Sequence, residues 1–122
     1  VDLDHSGETI ETKADVDPMF TKSSMVHMAK LYAQNADLRL PFISPLYGNL
    51  SGLPPVLIHV GTNEMLHSDS LRMADALKKA GVDCTIREWE DLFHVFHSVV
   101  YIPEARIANE EIAAFIKKHI HL

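Results

Sequence analysis

Apolar side chains recur along this chain with helical spacing in three places and with strand spacing in two. Between Thr21 and Ala36 the residues Met25, Met28, Ala29, Leu31 and Tyr32 fall three and four apart, which predicts one face of an amphipathic helix that mostly packs. The Met-rich part of that face also suits a cover over an apolar pocket, because methionine fills irregular gaps. From Val56 to Val60 the apolar run is short, partly β-branched and bounded by Pro54–Pro55 and Gly61, so it reads as a buried strand. A helix follows from about Asp69 to Ala80, with Leu71, Ala74 and Leu77 at helical spacing, Ser68 as N-cap and Gly81 as C-terminal stop. Val82 to Trp89 alternates apolar and polar and predicts a second strand. Pro103 then opens a last helix whose Ile107, Ala108, Ile112, Phe115 and Ile116 share a face suited to covering one side of a sheet.

Strand, helix and strand in that order make a βαβ unit, so the fold class is α/β with two parallel strands and a right-handed crossover. Residues 1–52 read as connecting loop and helix, and residues 53–122 as the βαβα core. Val1–Asp17 has little periodicity and is expected to be an irregular connection with solvated acidic residues. Asp37–Gly52, with Pro41, Pro45, Gly48 and Gly52, reads as a loop. Two strands bury too little for a stable parallel sheet. That, and a start at Val1 in an acidic polar stretch, leads to the expectation that the fold is incomplete in this chain.

Composition narrows the partners. A chain of 122 residues with 47% hydrophobic residues is one domain at most, with enough apolar surface for a core. A net charge of −6 argues against nucleic acid or an anionic membrane as partner. No apolar run reaches the roughly 18 residues a membrane span needs, and no signal peptide is visible. The single cysteine, Cys84, cannot form an internal disulfide and is compatible with a reducing compartment. A soluble, cytoplasmic protein is expected.

Candidate chemistry gathers at the predicted strand exits. Glu64, in Thr62–Asn63–Glu64, follows the first strand at the sheet edge where open α/β folds bind ligands. His94, in Leu92–Phe93–His94–Val95–Phe96, follows the second. Neighbouring strands lie about 4.8 Å apart, so loops leaving them can bring a carboxylate and an imidazole into hydrogen-bond reach, an arrangement that serves general-base catalysis. Against this stands a core histidine among aromatic neighbours. Asp69 is a rival acid, although in a first helical turn it would already serve the helix dipole. The pairs His67–Asp69, His94–His97 and His119–His121, and the group Asp2, Asp4 and His5, lack a third ligand at a metal-site spacing, so no metal is expected. His27 reads as a partly buried helix residue and Asp91 as a turn residue.

The stretch from Ser44–Pro45–Leu46 through LSGLPPVLIHVGTNEMLHSDS, AGVDC and EWEDLFHVFHSV resembles the C-terminal portion of the α/β-hydrolase fold, in the branch of bacterial esterases and lipases similar to hormone-sensitive lipase. Gly61–Thr62–Asn63–Glu64–Met65–Leu66 matches that family's G-x-x-[DE]-x-L pattern for the acid of a catalytic triad, and His94–Val95–Phe96 matches its H-x-F pattern for the histidine. The resemblance implies a serine carboxylic-ester hydrolase without cofactor, in which Glu64 and His94 are catalytic and Phe93, Val95, Phe96, Met19 and Phe20 wall a pocket for an ester of small or medium acyl chain. The family's G-x-S-x-G elbow and HGG-type oxyanion loop do not occur in this sequence, so no serine here has the context of a nucleophile. A missing N-terminal part would supply both, and the isolated chain is expected to be inactive. The family also implies a homodimer through the last strand, Val82–Trp89, and the last helix, Pro103–Ile120. A non-catalytic pairing module remains the alternative.

Overall fold

The computed structural model of the chain describes residues 1–120. Its elements, in chain order, are α1 (Thr9–Thr12), α2 (Lys22–Ala33), β1 (Val56–Gly61), α3 (His67–Lys79), β2 (Cys84–Trp89) and α4 (Pro103–His119), with short 3-10 turns at Pro45–Tyr47 and Phe96–Ser98. The two strands are parallel and in register from Val56 opposite Cys84 to Gly61 opposite Trp89. Because both strands end at the same level, the loops that leave them start side by side.

Alternation along β1 sends successive side chains to opposite faces. Val56 and Ile58 pack with Leu77 of α3, Leu50 and Val82, while Leu57 and His59 share a cavity wall with Ile112 and Phe115 of α4. A third cluster at the strand exits joins Trp89, Phe96 and Ala108. The fully buried strand expected from the apolar run is buried only at Val60 and Gly61. Its first four residues are partly buried, and β1 has one partnered edge among the described residues.

Several boundaries differ from the sequence reading. α3 begins two residues early, at His67, with Leu66 rather than Ser68 at its N-cap. Ser68 is instead buried, its amide donating to Thr9 Oγ1 at 2.9 Å, with the two hydroxyls 2.7 Å apart. Gly81 does end the helix, in a left-handed conformation (φ +78°) that lets the Val82 amide donate to Leu77 O. On α4 the buried residues are Ala105 and Ala108. Ile107 and Ile116 are exposed, since the face they lie on meets no further layer among the described residues.

The N-terminal stretch is more ordered than its lack of periodicity suggested. α1 interrupts it, and Ile10 enters a core with Met25 and Met65. Asp2 and Asp17, expected to be solvated, are buried, because each accepts several hydrogen bonds that replace water. α2 opens on a capping box formed by Thr21 and Ser24. It buries Met25, Ala29 and Ala33 and leaves His27, expected to be partly buried, exposed.

Candidate active site

The exit of β1 is built around a backbone contact that only glycine permits. A Cβ on Gly61 would collide with the Leu92 carbonyl and with the Phe93 amide, so the loop after β2 lies directly on the end of β1. Hydrogen bonds fasten it there: Thr62 N–H donates to Trp89 O at 2.9 Å, Asn63 N–H to Leu92 O at 2.9 Å, and Asp91 N–H to Thr62 Oγ1 at 2.9 Å. Asp91 makes the turn with φ +57°, a region that aspartate tolerates. The loop geometry therefore depends on residues of both strands.

This packing brings Glu64 and His94 together. Glu64 is 4% exposed and its Oε2 accepts the Gly61 amide at 3.2 Å. Its Oε1 lies 3.3 Å from His94 Nδ1. The His94 ring, about a third exposed, meets the Phe20 ring at a tilt of 45°, centroids 5.0 Å apart, at the entry to α2. Val95 follows in a left-handed conformation (φ +60°, ψ +26°), which is strained for a β-branched residue and turns the chain into the buried Phe96. A carboxylate that orients an imidazole through Nδ1 leaves Nε2 as the acceptor for another group's proton. The arrangement can therefore act as a general base.

The remaining residues singled out from the sequence divide. Phe20 lines an apolar cleft of about 440 Å³ with Met25, Met28, Tyr32, Phe42 and Leu66, a volume in the range of small-molecule sites. Val95 borders a smaller hollow of about 140 Å³ that also contains Glu64 and His94. Phe96 touches that hollow but is 1% exposed, its ring 5.2 Å from Trp89. Phe93 packs against the same core. Met19 is half-exposed and lies outside the cleft lining.

Asp69 also borders the hollow, but its carboxylate is already engaged. Oδ2 accepts the Asp2 amide at 2.9 Å and Oδ1 lies 3.4 Å from Arg72. Burial is the largest influence on Asp69 and holds its carboxyl above the ordinary value. At Asp2 burial pushes the same way, yet hydrogen bonds from Ser6, Tyr47, Arg72 and the Asp4 amide outweigh it and keep the group low. His67 pairs with Glu88 at 2.7 Å rather than with Asp69. Among the described residues no three His, Cys, Asp or Glu side chains converge as metal ligands, and the pair His119–His121 falls partly outside them.

Two contributors escaped the sequence reading. In the sequence Gly61 marks only a strand end; in the structure it is the seat of the His94 loop. Asp17 reads as one solvated acid among several, although the Asp17–Pro18 dipeptide is a turn signal in which aspartate bonds the amides that follow, as it does here with Met19 and Phe20.

Known proteins share the fold that carries this site. A family model described as the alpha/beta hydrolase fold matches residues 1–98. The chain is 38% identical over 117 residues to an acetyl-hydrolase of Streptomyces hygroscopicus, covering 95% of this chain and 39% of that protein. It superposes on the crystal structure of a hormone-sensitive lipase from a metagenome library with TM-score 0.95 and 38% identity, covering 98% of this chain and 42% of the other. An esterase from the bacterial hormone-sensitive lipase family gives TM-score 0.95 at 35% identity, over 99% of this chain and 41% of the other. No described helix is long and apolar enough to cross a membrane. The chain spans about two fifths of the length of these relatives, and with them it belongs to the α/β-hydrolase fold, in the branch of esterases and lipases related to hormone-sensitive lipase.

Proposed function

We propose that this chain supplies the acid, Glu64, and the base, His94, of a Ser–Glu–His triad in a carboxylic-ester hydrolase. The serine nucleophile and the oxyanion donors come from a segment outside it. The observation that carries this reading is the 3.3 Å approach of Glu64 Oε1 to His94 Nδ1, at the level where two parallel strands end together.

In the reaction, the serine hydroxyl attacks the acyl carbon while His94 Nε2 takes its proton. The tetrahedral intermediate collapses, the C–O bond to the alcohol breaks, and His94 returns the proton to the departing oxygen. Water then repeats the sequence against the acyl-serine and releases the acid. Glu64 fixes the tautomer of His94 and stabilises the imidazolium that forms twice per turnover. The apolar cleft beside Phe20 suits the hydrocarbon part of an ester of small or medium acyl chain, with residues 1–52 as most of its wall.

The test is hydrolysis of a short-chain p-nitrophenyl ester by the polypeptide in which this chain is joined to a G-x-S-x-G segment. Hydrolysis that His94→Ala abolishes is the expected result; activity indifferent to that change removes the reading. The second reading, a pairing module without chemistry, draws on the outer edge of β2, which pairs with no strand among the described residues, and on the exposed Ile107 and Ile116 of α4. A joined polypeptide that pairs through this face yet hydrolyses nothing would favour it.

A further inference from the structure

Asp17 lies outside the cavity that contains Glu64 and His94, yet it joins the two segments that flank them. It is buried, and among the described residues no cation pairs with its carboxylate. Three backbone amides satisfy it instead: Met65 N–H donates to Oδ2 at 2.7 Å, and Met19 and Phe20 N–H donate to Oδ1 at 2.8 and 3.1 Å. An acceptor-only group with two oxygens matches three donors. An amide or a single hydroxyl does not.

The origin of those amides gives the contact its meaning. Met65 directly follows Glu64 and is itself fully buried, while Phe20 carries the ring that lies tilted against His94 at 5.0 Å. One carboxylate thus ties the acid's loop to the ring against the base, across 48 residues of chain. The Glu64–His94 distance is already at the long end of hydrogen bonding, so small displacements of either segment open it. We infer that Asp17 is a positioning residue that holds Glu64 and His94 in register through Met65 and Phe20; this rests on the triad reading above.

The experiment uses the joined polypeptide with Asp17→Asn, Glu64→Gln and the double variant, with turnover normalised to active sites titrated by a covalent phosphonate. The expected result for Asp17→Asn is a loss of kcat of about 10- to 100-fold, as for a misplacement of an ångström, with KM within about twofold. In the Glu64→Gln background the same change should remove little more, because the two act through one contact. A purely structural role would reduce the titre of active sites and leave turnover per site intact. Turnover per site within twofold of the parent, or losses that multiply in the double variant, would overturn the inference. If Asp17→Asn does not fold, Phe20→Leu, which removes the ring from His94 but keeps the clamp, decides by the same two readouts. A third readout is independent of the esterase reading: the downfield proton resonance of the His94 Nδ1–H, which Asp17→Asn should weaken or move upfield. An unchanged resonance overturns the positioning role even if the protein proves to hydrolyse nothing.

Discussion

The carbonyl oxygen of Leu92 occupies the space that a Cβ on Gly61 would need. A residue at the end of one strand thereby sets the height at which the other strand's loop crosses, and His94 lies two residues further along that loop. Gly61→Ala should force this crossing apart. The expected cost is about 1–3 kcal/mol of stability, as for overpacking elsewhere, measured by chemical denaturation. Ester turnover should fall about 100-fold, because the imidazole moves with the loop.

Glu64 and Asp69 border the same hollow, and their hydrogen bonds differ: Glu64 meets His94, whereas Asp69 is held by the Asp2 amide and Arg72. Glu64→Gln in the joined polypeptide should lower kcat by about 1,000-fold or more, the scale seen when a triad acid becomes an amide. Asp69→Asn keeps an oxygen for the Asp2 amide and should leave kcat within about threefold. Steady-state kinetics on both variants decides between them, and the reverse pattern would give the acid's role to Asp69.

Phe96 closes the core at the strand exits, 5.2 Å from Trp89 and against Ala108. Phe96→Ala should cost about 3–5 kcal/mol, the range for emptying an aromatic site. Trp89 is the sole tryptophan, so its fluorescence, red-shifted as water enters, follows the change during urea unfolding.

His59 makes the fold sensitive to acid. Burial first, then the charges of Arg87 and His97, hold its imidazole below the ordinary value, while Glu111 Oε2 lies 3.3 Å from its Nε2 and pulls the other way. With the folded value depressed, the unfolded chain takes up the proton first as the pH falls through about 6.5. Stability is then complete above that pH and declines as the pH falls toward the folded value. His59→Phe keeps a ring beside Trp89 and should flatten this decline between pH 7.5 and 5, as read from denaturation midpoints.

Much of the fold was legible from local pattern. The continuous run Val56–Val60, the Gly81 stop and Pro103 at a helix start are signals carried by a few neighbouring residues, and each element lies where its signal placed it, to within a few residues. The failures share a cause. Ser68 looked like a cap but bonds Thr9, 59 residues away. Asp2 and Asp17 looked like solvent-facing acids but are satisfied by Arg72, Tyr47 and Met65. A polar residue's fate depends on its partner, and a distant partner leaves no trace in the surrounding sequence.

For the site, the residues Glu64 and His94 were visible at two predicted strand ends, and the family pattern around them implied the chemistry proposed above. Their separation was not visible. It follows from the parallel register of β1 and β2, from the glycine that lets one loop rest on the other, and from the strained Val95 beside the histidine. Sequence by itself determined which groups and which elements are present, because propensity and periodicity act within a few residues. Tertiary structure alone decided how far apart those groups stand and which acids are buried, because distances across a sheet and hydrogen bonds between remote segments arise only once the chain has packed.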